Sequence, residues 1–251
     1  MYFDLKNIWD GFVSNMKIRD LKIKIFADGA DENDIELLNK NNLISGFTTN
    51  PTLMRKAGVS NYKDFAMRIL NIVNNKPISF EIFADDFDNM LRQAIIISKW
   101  SDNVYVKIPI TNTEGVSSIE LIDELNKSKI KTNITAVFTL DQIEALGRVL
   151  ISDTPSIVSV FAGRVADTGI DPVPLMKDAK NILNNPETQL LWASPREVLN
   201  VFQANSCGVD IITLTTDMLR KLVNVGKSLD EFSLETVKMF YNDANLSGYK
   251  L

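Results

Sequence analysis

The chain contains no histidine, so any nucleophilic attack or proton transfer it performs falls to amines, carboxylates, hydroxyls and amides. Among these, Lys107 has the least ordinary setting. It interrupts Val104-Tyr105-Val106-Lys107-Ile108-Pro109, a run otherwise suited to a buried strand. Alternation along a strand turns Val106 and Ile108 to one side and Lys107 to the other. Desolvation in such a place disfavours an ammonium, and a nearby cation disfavours it further, which leaves a fraction as free amine able to attack a carbonyl and form a Schiff base. A structural ion pair with Asp28 or Glu81 accounts for the same position equally well.

Lys107 has company at corresponding places. Asp28 and Asn50 follow earlier apolar runs and Glu81 lies within one, while Asn133, Thr135 and Ser159 lie within later runs and Arg164, Ser194 and Arg196 follow them. Ser194-Pro195-Arg196-Glu197 reads as a helix start, with Ser194 as N-cap, Pro195 at the first helical position and Glu197 closing a capping box. A helix amino terminus favours an anion, so Arg196 in its first turn, joined by Arg164, is expected to form a phosphate clamp, against the plainer readings of Ser194 as a cap alone and Arg196 as a surface residue.

The elements that position these residues follow from periodicity. Eight short apolar runs recur: Ile23–Ala27, Ile44–Thr48, Ile78–Phe83, Val104–Ile108, Lys131–Thr135, Ile157–Phe161, Leu190–Ala193 and Val209–Leu214. Their spacing of roughly 20 to 35 residues suits repeated strand–helix units, and their composition suits a sheet covered on both faces. Helical patterns lie between them, over Asp86–Trp100 and Gly115–Lys127, and Thr139 with Gln142 forms a capping box after the fifth run. A single α/β domain over residues 1–251 is expected, a (β/α)8 TIM barrel with an N-terminal helical lead-in and a C-terminal extra helix over Asp230–Asn242. In such barrels the site lies at the carboxyl ends of the strands, where the polar residues above fall.

Composition narrows the partners. A net charge of −5 without a basic run argues against nucleic acid and against anionic membrane surfaces. One cysteine, Cys207, excludes an internal disulfide framework. No stretch has the apolar character of a secretory signal or a membrane span, so a cytoplasmic location is expected. Asp85, Asp86 and Asp88 are read as helix-opening carboxylates rather than metal ligands. Nucleotide loops and nucleophile-elbow serines are absent from the sequence.

Five segments in order resemble the motifs of the transaldolase family: Phe26-Ala27-Asp28, Gly46-Phe47-Thr48-Thr49-Asn50-Pro51, Val104-Tyr105-Val106-Lys107-Ile108-Pro109, Lys131-Thr132-Asn133-Ile134-Thr135 and Val158-Ser159-Val160-Phe161-Ala162-Gly163-Arg164. The resemblance implies a Schiff-base lysine at Lys107 and an acid/base at Asp28. It further implies a catalytic water held by Glu81 with Thr135, substrate or lysine contacts from Asn50, Asn133 and Ser159, and a pocket wall at Phe161. The implied reaction transfers a dihydroxyacetone unit between sugar phosphates, as in the pentose phosphate pathway or a sugar-building route, and uses no metal or organic cofactor. The aldolase branch of the family tends to carry glutamine and tyrosine where this chain has Glu81 and Phe161, so both positions favour the transferase over a dihydroxyacetone-releasing aldolase. A barrel that binds sugar phosphate without turning it over is the reading of a different class. Oligomeric state is open at this level, a homo-oligomer included.

Overall fold

The computed structural model describes residues 12, 13 and 16–250. The described chain divides into two compact units: residues 22–219, and the terminal segments on either side of them. In the terminal unit β1 (Phe12–Val13) pairs antiparallel with β2 (Met16–Lys17), and a 3-10 turn follows over Ile18–Asp20. Most of the expected helical lead-in lies outside the described residues, and the part that is described is this short ribbon.

The larger unit is a closed barrel of eight parallel strands: β3 (Lys24–Asp28), β4 (Ile44–Thr48), β5 (Ile78–Glu81), β6 (Val104–Pro109), β7 (Thr132–Val137), β8 (Ser156–Val160), β9 (Thr188–Trp192) and β10 (Ile211–Thr215). Strand β10 pairs with β3 and so removes both edges of the sheet. Strand β4 coincides with its expected span, and the other strands differ from theirs by one or two residues at one or both ends. Intervening helices include α1 (Glu32–Asn39), α2 (Pro51–Lys56), α3 (Tyr62–Val73), α4 (Phe87–Ser98) and α5 (Ile119–Lys127). They continue with α6 (Leu140–Val149), α7 (Ala162–Asp167), α8 (Pro172–Ile182), α9 (Leu199–Ser206) and α10 (Thr216–Lys221).

Helix starts are written in the sequence. Asp31, Asn50, Asn61, Asp86, Thr139 and Asp171 each accept a backbone N–H from the first turn of the helix they open, contacts that typically contribute about 1 kcal/mol apiece. Thr139 and Gln142 form the expected capping box. Asp86 caps α4, and Asp85 accepts from both the backbone N–H and the hydroxyl of Thr113. The α5 helix begins at Ile119 rather than Gly115. Before it, Asn112 Oδ1 accepts from the N–H groups of Glu114 and Val116, Gly115 takes a φ of +81°, and Thr111 bridges to Ser117. This local turn outcompetes the first helical turn.

In the terminal unit, α11 (Leu229–Ser247) extends past the expected end at Asn242 and stops at Gly248 in the left-handed conformation. Among the described residues no helix is long and apolar enough to cross a membrane.

Candidate active site

Barrel register alone brings the candidate residues side by side. Asp28 on β3 is paired with Thr48 on β4, Glu81 on β5 with Lys107 on β6, and Lys107 in turn with Asn133 on β7. These pairs lie toward the carboxyl ends of their strands. The short β5 is anchored at its rim end from the helix side, where the Tyr62 hydroxyl donates to the Glu81 carbonyl at 2.9 Å. The Tyr62 ring packs edge-on against Phe80, Phe83 and Trp100.

A cavity of about 460 Å³ opens there, a size that suits a sugar phosphate. Asp28, Asn50, Glu81, Lys107, Thr135, Ser159, Phe161, Arg164 and Ser194 all line it. Lys107 is 8% exposed, while its strand neighbours Val106 and Ile108 are fully buried, as the alternation requires. Its Nζ donates to the carbonyl of Thr49 at 3.1 Å and stands 3.8 Å from Glu81 Oε2, an ion-pair distance too long for a hydrogen bond.

The two carboxylates differ in their fixing. Asp28 Oδ1 accepts from the Thr48 hydroxyl at 2.8 Å, and Oδ2 receives a longer contact of 3.4 Å from Asn50 Nδ2. Asn50 is aimed by its second task, because its Oδ1 caps α2 through Leu53 N–H at 3.0 Å. Burial pushes the Asp28 carboxyl above the usual range against the opposing pull of Lys107, Thr48 and Asn50. Burial also raises Glu81, Lys107 opposes that rise, and the charge of Asp28 adds to it. Glu81 Oε2 and Thr135 Oγ1 are buried and make no hydrogen bond with the described protein. Buried polar atoms in native folds have partners, so both are suited to a small polar species in the cavity.

Asn133 is buried beside Lys107 and behind the cavity wall. It donates to the Ser79 hydroxyl at 2.9 Å and accepts from Ser159 at 2.7 Å, linking three strands. Phe161 stacks obliquely with Phe138, and the Arg164 guanidinium lies over the Phe161 ring at 5.2 Å.

The segment after β9 departs from its expected form. Helix α9 starts at Leu199, and Ser194 is not its N-cap. Ser194 instead takes a φ of +56°, and the N–H groups of Arg196 and Glu197 are satisfied from the other direction by Asn200 Oδ1, at 2.7 and 3.1 Å. With that side-chain acceptor available, the helix forms one turn later and no capping box closes. Arg196 points away from the cavity lining and grips Asp167 with Nε and Nη2, which holds the Asp167 carboxyl below its usual range.

Sequence reasoning passed over Thr48 and Thr213, which touch each other and, through Thr48, Asp28. Thr213 carried a signal, since it interrupts an apolar run just as Lys107 does. Gly163, inside the Val158–Arg164 motif, has no room for a β-carbon, which would overlap the Ser194 carbonyl oxygen. Ala136 at the cavity holds a φ of +58° at a register shift between β7 and β8, which no pattern announces.

A closed parallel barrel with an amine, two carboxylates and hydroxyls gathered at the carboxyl ends of its strands is a (β/α)8 barrel with its candidate site where enzymes of that fold carry theirs. The fold is shared with a mutant tryptophan synthase alpha-subunit from Pyrococcus furiosus, with a TM-score of 0.57 at 11% identity over 81% of this chain and 96% of that one. Residues 25–249 match the family model described as transaldolase/fructose-6-phosphate aldolase. A probable transaldolase of Dehalococcoides mccartyi is 37% identical over 203 residues, 80% of this chain and 90% of that protein. Another, from a Thermoanaerobacter species, is 33% identical over 226 residues, 89% of this chain and 99% of the relative. The chain belongs to the transaldolase/fructose-6-phosphate aldolase family.

Proposed function

We propose that this protein is a transaldolase that carries a dihydroxyacetone unit from a ketose phosphate, sedoheptulose 7-phosphate or fructose 6-phosphate, to an aldose phosphate through a Schiff base on Lys107. The observation that carries the reading is Lys107 Nζ itself. It is almost enclosed, is held by one backbone carbonyl, and faces two carboxylates across a cavity that is open to a substrate.

The Lys107 amine adds to the donor ketone to give a carbinolamine, and loss of water yields an iminium. Asp28 removes the proton of the hydroxyl on the far carbon of the bond to be broken, the carbon that becomes the aldehyde. The carbon–carbon bond cleaves, its electron pair passes into the iminium to give an enamine, and an aldose phosphate leaves. The enamine then attacks the acceptor aldehyde, Asp28 returns the proton to the new alkoxide, and water releases the ketose. Glu81 Oε2 and Thr135 Oγ1 would hold that water, consistent with neither making a hydrogen bond among the described residues. Asn133 and Ser159 support the strand that carries Lys107, and Ser159 also reaches the cavity. Arg164, lying over Phe161 at the rim, would take the phosphate, and the iminium serves as the electron sink with no metal or organic cofactor.

Phe161 and Glu81 separate this reading from the dihydroxyacetone-releasing aldolase. An apolar ring beside the enamine offers no hydroxyl to place water against it, which favours transfer over release. Borohydride reduction in the presence of fructose 6-phosphate should add a three-carbon mass to Lys107. The same preparation, given donor and acceptor, should form transferred ketose well ahead of free dihydroxyacetone. An adduct on another lysine overturns the nucleophile, and equal release and transfer replace the transferase with the aldolase. Binding of sugar phosphate without either product would make the barrel a non-catalytic module.

A further inference from the structure

The Asp28 carboxylate has two oxygens, and a proton-transfer residue works best when only one is offered to the substrate. Thr48 Oγ1 lies 2.8 Å from Asp28 Oδ1 and 2.6 Å from Thr213 Oγ1. A hydroxyl has one proton, and an ionised carboxylate can only accept. The Thr48 proton is therefore directed to Asp28, and the short contact to Thr213 is made with the Thr213 proton directed to Thr48. Three strands contribute to the chain, β10, β4 and β3, and barrel closure makes β10 and β3 neighbours. Thr48 and Thr213 line the cavity yet are only 3% and 8% exposed, so the pair is mostly withdrawn from bulk water.

We infer that Thr213 and Thr48 are positioning residues that hold Asp28 Oδ1 in a directed hydroxyl chain and thereby leave Oδ2 as the oxygen that exchanges the proton with substrate. The inference rests on the proposed role of Asp28. Oδ2 fits the assignment because its contact with Asn50 is the longer one, 3.4 Å, and a weakly held oxygen gains a proton at less expense. The Thr48 contact also opposes the upward push of burial on this carboxyl, keeping more of it ionised and ready to act as a base. The other charged groups coupled to Asp28 are Lys107 on β6, which also favours the ionised form, and Glu81 on β5, whose own carboxyl is pushed up by the charge of Asp28.

The test uses Thr48→Val, Thr48→Ser and Thr213→Val in the full chain. Borohydride should trap sugar on Lys107 in all three, because carbinolamine formation does not use Oδ1, but in Thr48→Val the adduct formed with fructose 6-phosphate should shift from the three-carbon toward the uncleaved six-carbon mass. Carbon–carbon cleavage in Thr48→Val should slow roughly 10- to 100-fold in kcat, the scale of one lost hydrogen bond to a charged group, with KM little changed. Its acidic limb should move to higher pH, since a donor to the charged form has been removed. Thr48→Ser should restore rate and limb, and Thr213→Val should show a smaller change in the same direction. The carbon-13 titration of the Asp28 carboxyl should move upward in Thr48→Val independently of any turnover. An unmoved carboxyl titration with unchanged cleavage overturns the hydroxyl chain, as does a Thr48→Ser variant as impaired as Thr48→Val. Failure of the parent to trap substrate on Lys107 would overturn the transaldolase reading instead, while the carboxyl titration still judges the chain.

Discussion

Two guanidiniums suited to a phosphate stand near the same side of the barrel rim, and their surroundings separate them. Arg164 lines the cavity and is steadied by the face of Phe161. Arg196, singled out from the sequence as the helix-start anion ligand, spends its fork on Asp167 and lies outside the lining. A phosphate would have to draw Arg196 out of a bidentate pair, while Arg164 gives up a ring contact and an electrostatic attraction to Asp167 without a hydrogen bond. Arg164→Ala should therefore raise KM for fructose 6-phosphate roughly 10-fold or more, the scale of one lost charge-assisted contact, and disturb unphosphorylated dihydroxyacetone reactions far less. Arg196→Ala should raise KM only slightly. Steady-state kinetics with both substrate kinds decide the matter: if Arg196→Ala has the larger effect, the Asp167 pair opens on binding and both arginines hold the phosphate. What fails is the helix start expected at Ser194: Asn200, farther along the chain, takes the N–H groups of Arg196 and Glu197, and the helix begins at Leu199.

Between elements, the rim is assembled by close backbone approach. Helix α7 and the segment after β9 touch at Gly163, whose N–H donates to the Ala193 carbonyl at 3.2 Å. Any β-carbon there would overlap the Ser194 carbonyl, and the obstructing atom is backbone rather than a flexible side chain. Gly163→Ala should destabilise the protein by about 3 kcal/mol or more, the upper range for overpacking. For a chain of this size that lowers Tm by roughly 6 to 12 °C, measurable by scanning calorimetry. A change below 1 °C would mean that the segment moves aside readily. Strand positions, helix caps and the convergence of Asp28, Glu81, Lys107 and Thr135 were legible because each follows from local alternation or spacing. The Ala136 bulge and the Gly163 contact were not, since each is imposed by a neighbour distant in sequence, and the Ser194 turn was not because Asn200 offers a local acceptor that competes with the expected cap. Thr48 shows the middle case. Its type was visible, but its meaning required β10 to close on β3.

For the molecule as a whole, the candidate site is a stability burden whose pH dependence has a definite sign. Asp28 and Glu81 are both held above the usual carboxylate range, chiefly by burial, so the folded protein binds their protons more tightly than the unfolded chain does. Between the ordinary carboxylate range and the raised folded values, the unfolded chain holds fewer protons, and the contribution of these groups to stability falls as pH rises. Below that window both states are protonated and the contribution is flat; above it both are ionised and the full penalty persists. Exposed carboxylates such as Asp86, Asp153 and Asp167 are shifted the other way by their partners, so the total profile mixes signs. A comparison isolates the site. The double variant Asp28→Asn, Glu81→Gln keeps every exposed pair and removes both buried charges. Its unfolding free energy minus that of the parent, from urea titrations at a series of pH values, should increase from the ordinary carboxylate range toward neutrality and then level off. A difference that instead declines with rising pH would mean that Lys107 more than compensates the buried charges, and that these carboxylates stabilise the fold they were placed in for chemistry.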